Sequence, residues 1–437
     1  MSEHNDNTVT STPVASGGGQ REPGSTPREF DIVVYGASGF VGTLLAEYLA
    51  ANAPEGVTIA LGGRSREKLE RVRDGLGDRA AQWPIVVADS FDRDALDSLA
   101  ARTRVVATTV GPYARFGREL AGACADAGTD YVDLTGEVLF ARESIDDNHK
   151  RAESTGARIV HSCGFDSVPS DLAVHLLHGA ASADEQGELT DTTMLVSSLR
   201  GGISGGTIDS LRTQVVEGAS DRTARRLMLD PYALSPERAR EPDLGRELDM
   251  QIARGDAIGP GVQGTAAPFV MASYNTRVVR RSNALLDWAY GREFRYREVM
   301  SVGSSRWLSP VLAGVVSAGL GGLVAGLAAR PTRALLDRVL PSPGDGPSEK
   351  TRQRGRFTID TYTVTTTGAR YVARFGAQGD PGYQATAVML GESALGLALD
   401  RDALPAVAGV LTPATALGDV LVERLRARGF DISVRRL

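Results

Sequence analysis

Cysteine is nearly absent from this 437-residue chain, with only Cys124 and Cys163, each inside an apolar stretch. That excludes a disulfide framework and a cysteine metal site, and a reducing, cytoplasmic compartment fits the thiols. Lysine is scarcer than usual: Lys68, Lys150 and Lys350 are the only three, and none follows a tyrosine by four residues. The Tyr-x-x-x-Lys pair of the short-chain dehydrogenases is therefore missing, and so is a Gly-Lys-Ser/Thr loop for nucleotide hydrolysis. The five histidines are dispersed, and His175 with His178 falls short of the three or four ligands that zinc requires. A net charge of −6 with no basic stripe argues against a nucleic-acid partner. Residues 1–28 are rich in Ser, Thr, Gly and Pro and hold no apolar run. They read as a disordered tail, neither signal peptide nor folded element.

The length exceeds what one hydrophobic core organises, so two domains are expected. From Phe30 onward, short apolar strands alternate with helical segments. Strands are predicted at 31–35, 57–61, 84–88, 104–110, 129–134 and 158–162, with helices at 65–76, 92–102, 115–127 and 137–155 between them. Six strands alternating with helices predict an α/β fold, a doubly wound parallel Rossmann sheet over residues 29–185. Residues 186–405 mix longer strands with isolated helices and predict a second, α+β domain for substrate or dimerisation. Within it, 341–356 reads as an exposed loop, and Thr366-Thr367-Gly368-Ala369 as a hairpin turn. The last stretch, 406–437, reads as a helix stopped by Gly429 and a short strand, packing back on the Rossmann domain.

The chemistry-bearing motif is Gly36-Ala37-Ser38-Gly39-Phe40-Val41-Gly42, placed after a strand and before a helix. Glycine lets backbone amides and the positive end of a helix approach a pyrophosphate, although Gly42 can equally serve close helix–strand packing. Strand two ends in Leu61-Gly62-Gly63-Arg64-Ser65, where NAD-specific folds carry an acidic residue. Arg64 can fork onto a 2′-phosphate and Ser65 can donate to it, so NADPH is the predicted cofactor. Two further strand ends face the ligand crevice. Asp89 is expected near the adenine or as a helix cap. Val110, Gly111 and Pro112 are expected near the nicotinamide or as a plain turn.

These motifs, with Thr109-Val-Gly-Pro-Tyr113, Tyr131-Val-Asp-Leu-Thr-Gly-Glu137 and Cys163-Gly-Phe-Asp-Ser-Val-Pro-Ser-Asp171, resemble those of the saccharopine dehydrogenase-like oxidoreductases. Among these the chain looks most like the actinobacterial trans-acting enoyl reductases. The resemblance implies reduction of the carbon–carbon double bond of an enoyl-thioester carried on a polyketide synthase, for complex lipids. A saccharopine-type imine reductase, whose polycarboxylate substrate needs converging cations, is the alternative within the family. A catalytically silent, nucleotide-bound assembly protein is the alternative outside it.

An enoyl reduction gathers negative charge on the thioester oxygen and needs a proton donor. Tyr113 is the first candidate, with packing on the adjoining helix as its other role. Asp166 and Ser167 form the second constellation, with helix capping as theirs. Glu137 is a weaker candidate of the same kind. The Gly201–Thr207 run reads as an anion site or a hinge.

Val311–Ala329 is nineteen residues without a charge, long enough to cross a bilayer. A single span would separate the two halves of one folded body, so peripheral contact with lipid is expected instead. A buried helix or homodimer interface is the other reading. Gly314, Ala318, Gly322 and Gly326 recur there at four-residue steps.

Overall fold

The computed structural model describes residues 28–201, 205–245, 248–336, 338 and 348–437. Its first strand, β1 (Phe30–Tyr35), is a run of apolar residues buried almost throughout, as suits a strand covered on both faces. The alternation continues through α1 (Phe40–Asn52), β2 (Ile59–Gly63), α2 (Arg66–Gly75), β3 (Ile85–Val87), α3 (Arg93–Ala101) and β4 (Thr103–Thr108). It goes on through α4 (Tyr113–Phe116), α5 (Arg118–Ala127), β5 (Asp130–Val132), α6 (Val138–Thr155), β6 (Arg158–Val160) and α7 (Val168–Ala183). Side-chain caps start α2 and α3, Ser65 accepting from Lys68 N and Asp92 from Ala95 N. Left-handed Gly128 and Gly156 end α5 and α6.

The second half begins with β7 (Leu189–Arg200), α8 (Gly205–Ser220), α9 (Arg222–Leu229), β8 (Ala253–Arg254), α10 (Gly255–Ile258), β9 (Thr265–Pro268), α11 (Ala272–Leu285) and β10 (Arg295–Ser301). Then come α12 (Leu308–Ala328), α13 (Arg330–Leu336), α14 (Glu349–Gln353), β11 (Arg356–Thr365), β12 (Arg370–Gln378) and α15 (Thr386–Leu399). The chain closes with β13 (Gly409–Leu411), α16 (Pro413–Ala416), α17 (Gly418–Ala427) and β14 (Asp431–Arg436).

The first sheet has seven strands in the order β13-β6-β5-β4-β1-β2-β3, and all its pairings are parallel. Strand order reverses between β1 and β4, which opens the crevice where such sheets bind ligands. The second sheet, β14-β12-β11-β7-β10-β9-β8, is mixed: β7 pairs parallel with β10, and its other pairings are antiparallel.

The six predicted Rossmann strands and the hairpin are present, but the division between domains is not a cut in sequence. Helix α15, from the segment assigned to the second domain, lies across β1, β4 and β5 and packs on α1. Gly391 allows this, because a Cβ there would meet the Tyr48 ring at 2.6 Å. Buried Glu392 fastens it, accepting from the Tyr48 hydroxyl and from Arg424 and Arg428, each at 2.7 Å. The C-terminal segment divides too. Strand β13 joins the first sheet beside β6, whereas β14 extends the second sheet beside β12. Arg28 is not part of a tail: its guanidinium donates to Ala100 O, Ala101 O and Ala127 O, carbonyls at the ends of α3 and α5. The predicted loop at 341–356 includes helix α14, and its residues 341–347 lie outside the described residues.

Helix α7 packs on β7, β11, β12 and β14 of the second sheet and on α11 and α16, and two buried carboxyls belong to its surroundings. Glu298 on β10 accepts from Asn275 Nδ2 at 3.0 Å and from the Tyr296 hydroxyl at 2.9 Å, and burial raises its carboxyl to about 7. Asp171 on α7 accepts from Ala414 N at 2.8 Å, and burial raises it to about 6. A carboxyl held above its unfolded value stabilises fully below that value and loses the contribution as pH rises through the folded one. Replacing Glu298 with Gln should therefore reduce the fall in stability between pH 5 and pH 8 by about 2–3 kcal/mol. Urea denaturation of both proteins across that range checks this, and parallel pH profiles would refute it.

Candidate active site

The phosphate loop is built by contact distances. Gly36 has φ 88°, and a Cβ on it would lie 2.5 Å from Val110 Cγ2. Its carbonyl accepts from Gly39 N at 2.9 Å, closing the turn. Gly39 is the N-cap of α1 and no side chain caps that helix. The first-turn amides of Phe40, Val41 and Gly42 thus have no intrahelical acceptor and face the crevice with the positive end of the helix. Ser38 and Gly39 are exposed, which leaves the approach open. Gly42 serves packing: a Cβ on it would sit 2.1 Å from Gly36 O, a helix–loop approach that only glycine permits.

At the end of β2, Arg64 is exposed and, among the described residues, pairs with no carboxylate. Ser65 is the α2 cap, its Oγ accepting from Lys68 N at 3.4 Å. Asp89 is exposed at the end of β3 and accepts from Phe91 N at 3.0 Å, an Asx turn. The nearest carboxylate in sequence is Glu67, in the first turn of α2, and the fold brings Asp89 to the same corner as Arg64. Burial raises the Tyr35 hydroxyl, which also feels Asp89 and, in the opposite sense, Arg64.

Val110, Gly111 and Pro112 lie beside Gly36 at the end of β4, Thr109 N donating to Tyr35 O at 3.1 Å. Tyr113, however, does not present a free hydroxyl to the crevice. It is 4% exposed, its hydroxyl donates to Thr108 O at 3.3 Å and accepts from Leu134 N at 3.1 Å, and its ring packs on Phe140. The expectation that it donates to substrate gives way to a structural role. Tyr113→Phe should lower stability by about 1–2 kcal/mol, by leaving the Leu134 amide unpaired, and leave turnover within about twofold. Parallel thermal unfolding and NADPH-consumption assays separate the two effects.

Glu137 has the larger part. Its buried carboxylate accepts from Tyr113 N at 2.9 Å and Ala114 N at 2.8 Å, capping α4, and from the Ser210 hydroxyl at 2.8 Å. Burial raises its carboxyl. Gln214, one turn further along α8, donates to Gly136 O at 3.0 Å and accepts from Val138 N at 2.9 Å. One turn of backbone after β5 is thereby clamped to the helix that covers it from the second domain. Spacing alone could not reveal that pairing.

Ser167 precedes α7 but caps nothing with its side chain. Its hydroxyl donates to Asn275 Oδ1 on α11 at 2.9 Å, which joins the two domains. Asp166 is half-buried in the same turn and is not without a partner. Neighbouring Ser162 is left-handed at φ 67° and buried, donating to Thr135 O at 2.8 Å and sharing a 2.6 Å hydrogen bond with the Tyr274 hydroxyl of α11. Asp133 collects the network, accepting from the Tyr131 hydroxyl at 3.0 Å and Ser162 N at 2.9 Å and pairing with His161 Nδ1 at 2.7 Å. Ser144 Oγ lies 2.8 Å from His161 Nε2. This Ser–His–Asp sequence is at most 5% exposed at each member and excludes the access that acyl transfer needs. Its work is to lock α6 to β5 and β6.

Of the Gly201–Thr207 run, residues 202–204 lie outside the described residues. Its end starts α8, where Gly205 N donates to the Tyr383 hydroxyl at 3.2 Å. The Tyr383 ring meets Phe40 edge-on at 5.1 Å, and Arg352 lies over Phe40 at 5.3 Å. Second-domain residues thus close over the first turn of α1.

A seven-stranded Rossmann sheet, an uncapped α1 behind a glycine cradle and an exposed arginine at the end of β2 together define a dinucleotide-dependent oxidoreductase. Residues 32–160 match the saccharopine dehydrogenase NADP binding domain, and NADPH is the cofactor that this domain takes. A Mycobacterium tuberculosis (strain H37Rv) protein provisionally named a trans-acting enoyl reductase is 56% identical over 418 residues, covering 94% of this chain and 99% of its own. The trans-acting enoyl reductase of Mycobacterium ulcerans (strain Agy99) is 49% identical over 420 residues, with the same coverage. The saccharopine dehydrogenase (L-Glu forming) of Saccharomyces cerevisiae shares the fold, with a TM-score of 0.51 and 13% identity over 93% of this chain and 99% of that one. The chain belongs to the trans-acting enoyl reductase family.

Proposed function

We propose that this protein reduces the carbon–carbon double bond of an enoyl-thioester, NADPH supplying the hydride, on an acyl chain presented by a polyketide synthase. The observation carrying this reading is end-to-end identity of 49–56% with relatives named for that activity. The amides of Phe40–Gly42 hold the pyrophosphate, Arg64 and Ser65 meet the 2′-phosphate, and Val110–Pro112 with the Glu137 turn border the nicotinamide. Helix α8 and Tyr383 close the crevice against water.

The cations of α11 favour an enoyl over a polycarboxylate imine substrate. Arg277 donates to Asp249 Oδ2 at 2.7 Å, Arg280 lies 3.4 Å from Asp249 Oδ1, and Arg281 donates to Leu234 O and Val410 O. Among the described residues they brace backbone carbonyls and Asp249 instead of converging on the crevice. Two free, buried thiols and the dependence on NADPH favour the cytoplasm. Incubation with enoyl-pantetheine thioesters should consume NADPH and yield the saturated acyl chain. Consumption with an imine substrate and none with any enoyl-thioester would refute the proposal.

A further inference from the structure

Among the described residues α12 is the one helix long and apolar enough to cross a bilayer, with mean hydropathy 2.0 and only 11% of its most apolar window buried. One stripe is committed to the protein. Ser309, Ala313 and Leu327 are buried, Ser309 Oγ accepts from Thr265 N at 2.8 Å, and the helix packs on β9 and α8. The opposite face is bare, with Trp307 91% exposed, Val311 61% and Val315 63%, and Leu308 and Leu312 exposed beside them. Of the five glycines of α12 only Gly326 meets another side chain, a Cβ there lying 3.0 Å from Leu336 Cδ1. A Cβ on Gly314, Gly319, Gly321 or Gly322 would meet nothing within 4 Å, while each lowers helix stability by about 1 kcal/mol relative to alanine. Water does not repay that loss, so a surface outside the chain must stabilise the helix.

We propose that this surface is an anionic phospholipid bilayer, α12 lying in its plane with the bare face submerged. A second copy fits poorly, because a single helix face about 31 Å long and 10 Å wide offers roughly 300 Å² against the roughly 800 Å² per partner of a stable interface. The one polar side chain in the middle of the helix, Ser317, donates back to Ala313 O at 2.7 Å, so the face holds no group for the hydrogen bonds of a protein interface. The flanks are cationic. From Arg306 to Arg338 the sequence has four arginines and a single acid, Asp337, in a chain of net charge −6. Arg333 braces the C-terminal carbonyls of α12, and among the described residues Arg306, Arg330 and Arg338 pair with no carboxylate. Trp307 beside Arg306 at one end and arginines at the other place aromatic and cationic headgroup anchors at both ends of an otherwise apolar helix. Because α12 packs on α8, docking holds the crevice one helix away from the lipid.

The test is flotation of the full chain with vesicles of equimolar phosphatidylcholine and phosphatidylglycerol, against phosphatidylcholine alone. Wild type should float with the anionic vesicles and much less with the neutral ones, with Trp307 emission shifting to the blue. Val311→Asp with Val315→Asp should lower partitioning about tenfold or more, unchanged NADPH affinity reporting that the variant is folded. Failure to float, equal flotation on neutral vesicles or a double variant that floats like wild type each overturns the proposal. A vesicle-free dimer split by the same variant, in a chain that ignores lipid, overturns it in favour of a second copy.

Discussion

Gly42→Ala should lower NADPH affinity about a hundredfold and destabilise the first domain by about 2–3 kcal/mol. The added methyl would lie 2.1 Å from Gly36 O, 2.8 Å from Gly36 C and 2.9 Å from Ala37 Cα. All three are backbone atoms, so no rotamer change relieves the overlap. Either α1 lifts off the loop or the loop shifts, and both move the amides of Phe40 and Val41 away from the pyrophosphate by a distance near the size of the clash. Gly36 cannot move alone, since its carbonyl accepts from Gly39 N and its amide donates to Gly62 O at 2.8 Å. Gly39→Ala is the internal comparison. Its Cβ would meet only Gly36 O, at 3.3 Å, so folding should survive while cofactor approach suffers. Fluorescence titration with NADPH and thermal unfolding of both variants give the two numbers. A Gly42→Ala protein with wild-type affinity would show that the loop does not hold the dinucleotide.

Glu137→Ala should act at a different level, loosening α4 and α8 together. Three hydrogen bonds to one buried carboxylate are lost, two of them from amides with no other acceptor among the described residues. A loss of about 3–5 kcal/mol follows, with Glu137→Gln recovering part of it. Denaturation midpoints of the two variants measure this, and equal midpoints would remove the clamp.

The first half of the fold was legible because its determinants are local. An apolar strand, a glycine turn and an amphipathic helix follow one another within a few residues, and the pattern repeats. What could not be read depends on contacts between distant segments. Nothing near Thr386 announces that α15 covers β1 and β4, because the reason is the fit of Gly391 under Tyr48 and the pairing of Glu392 with arginines thirty residues on. The destination of β14 is decided by the open edge of β12, which the sequence of β14 does not contain. The site divides in the same way. The glycine cradle and the Arg64 corner were visible, since backbone conformation and charge are properties of single positions. Tyr113 was visible only as a tyrosine at a strand end, and its two backbone partners decide its role. The buried Asp133–His161–Ser144 chain joins three segments that no spacing rule connects. For α12, composition gave length and apolarity, but which stripe is covered depends on β9 and α8.

Arg64→Ala should erase discrimination between NADPH and NADH. Wild type should prefer NADPH about tenfold, near the low end for a bidentate arginine–phosphate contact, because Arg64 is exposed and water screens its charge. The arginine is nevertheless free to make the contact, since among the described residues no carboxylate holds it and Ser65 already fixes the start of α2 beside it. Asp89 at the same corner sharpens the expectation: it adds repulsion to a 2′-phosphate that only a cation offsets, so removing Arg64 should weaken NADPH binding while leaving NADH binding within about twofold. Two further arms identify the cause. Raising salt should shrink the wild-type preference and leave the variant unaffected, as an exposed ionic contact requires. Arg64→Lys should retain charge but lose the fork, giving an intermediate ratio. Titrations with both nucleotides at low and high salt supply every value needed. An Arg64→Ala protein that still prefers NADPH tenfold would place the phosphate-reading cation elsewhere in the crevice, with Arg352, which lies over Phe40, the next residue to replace.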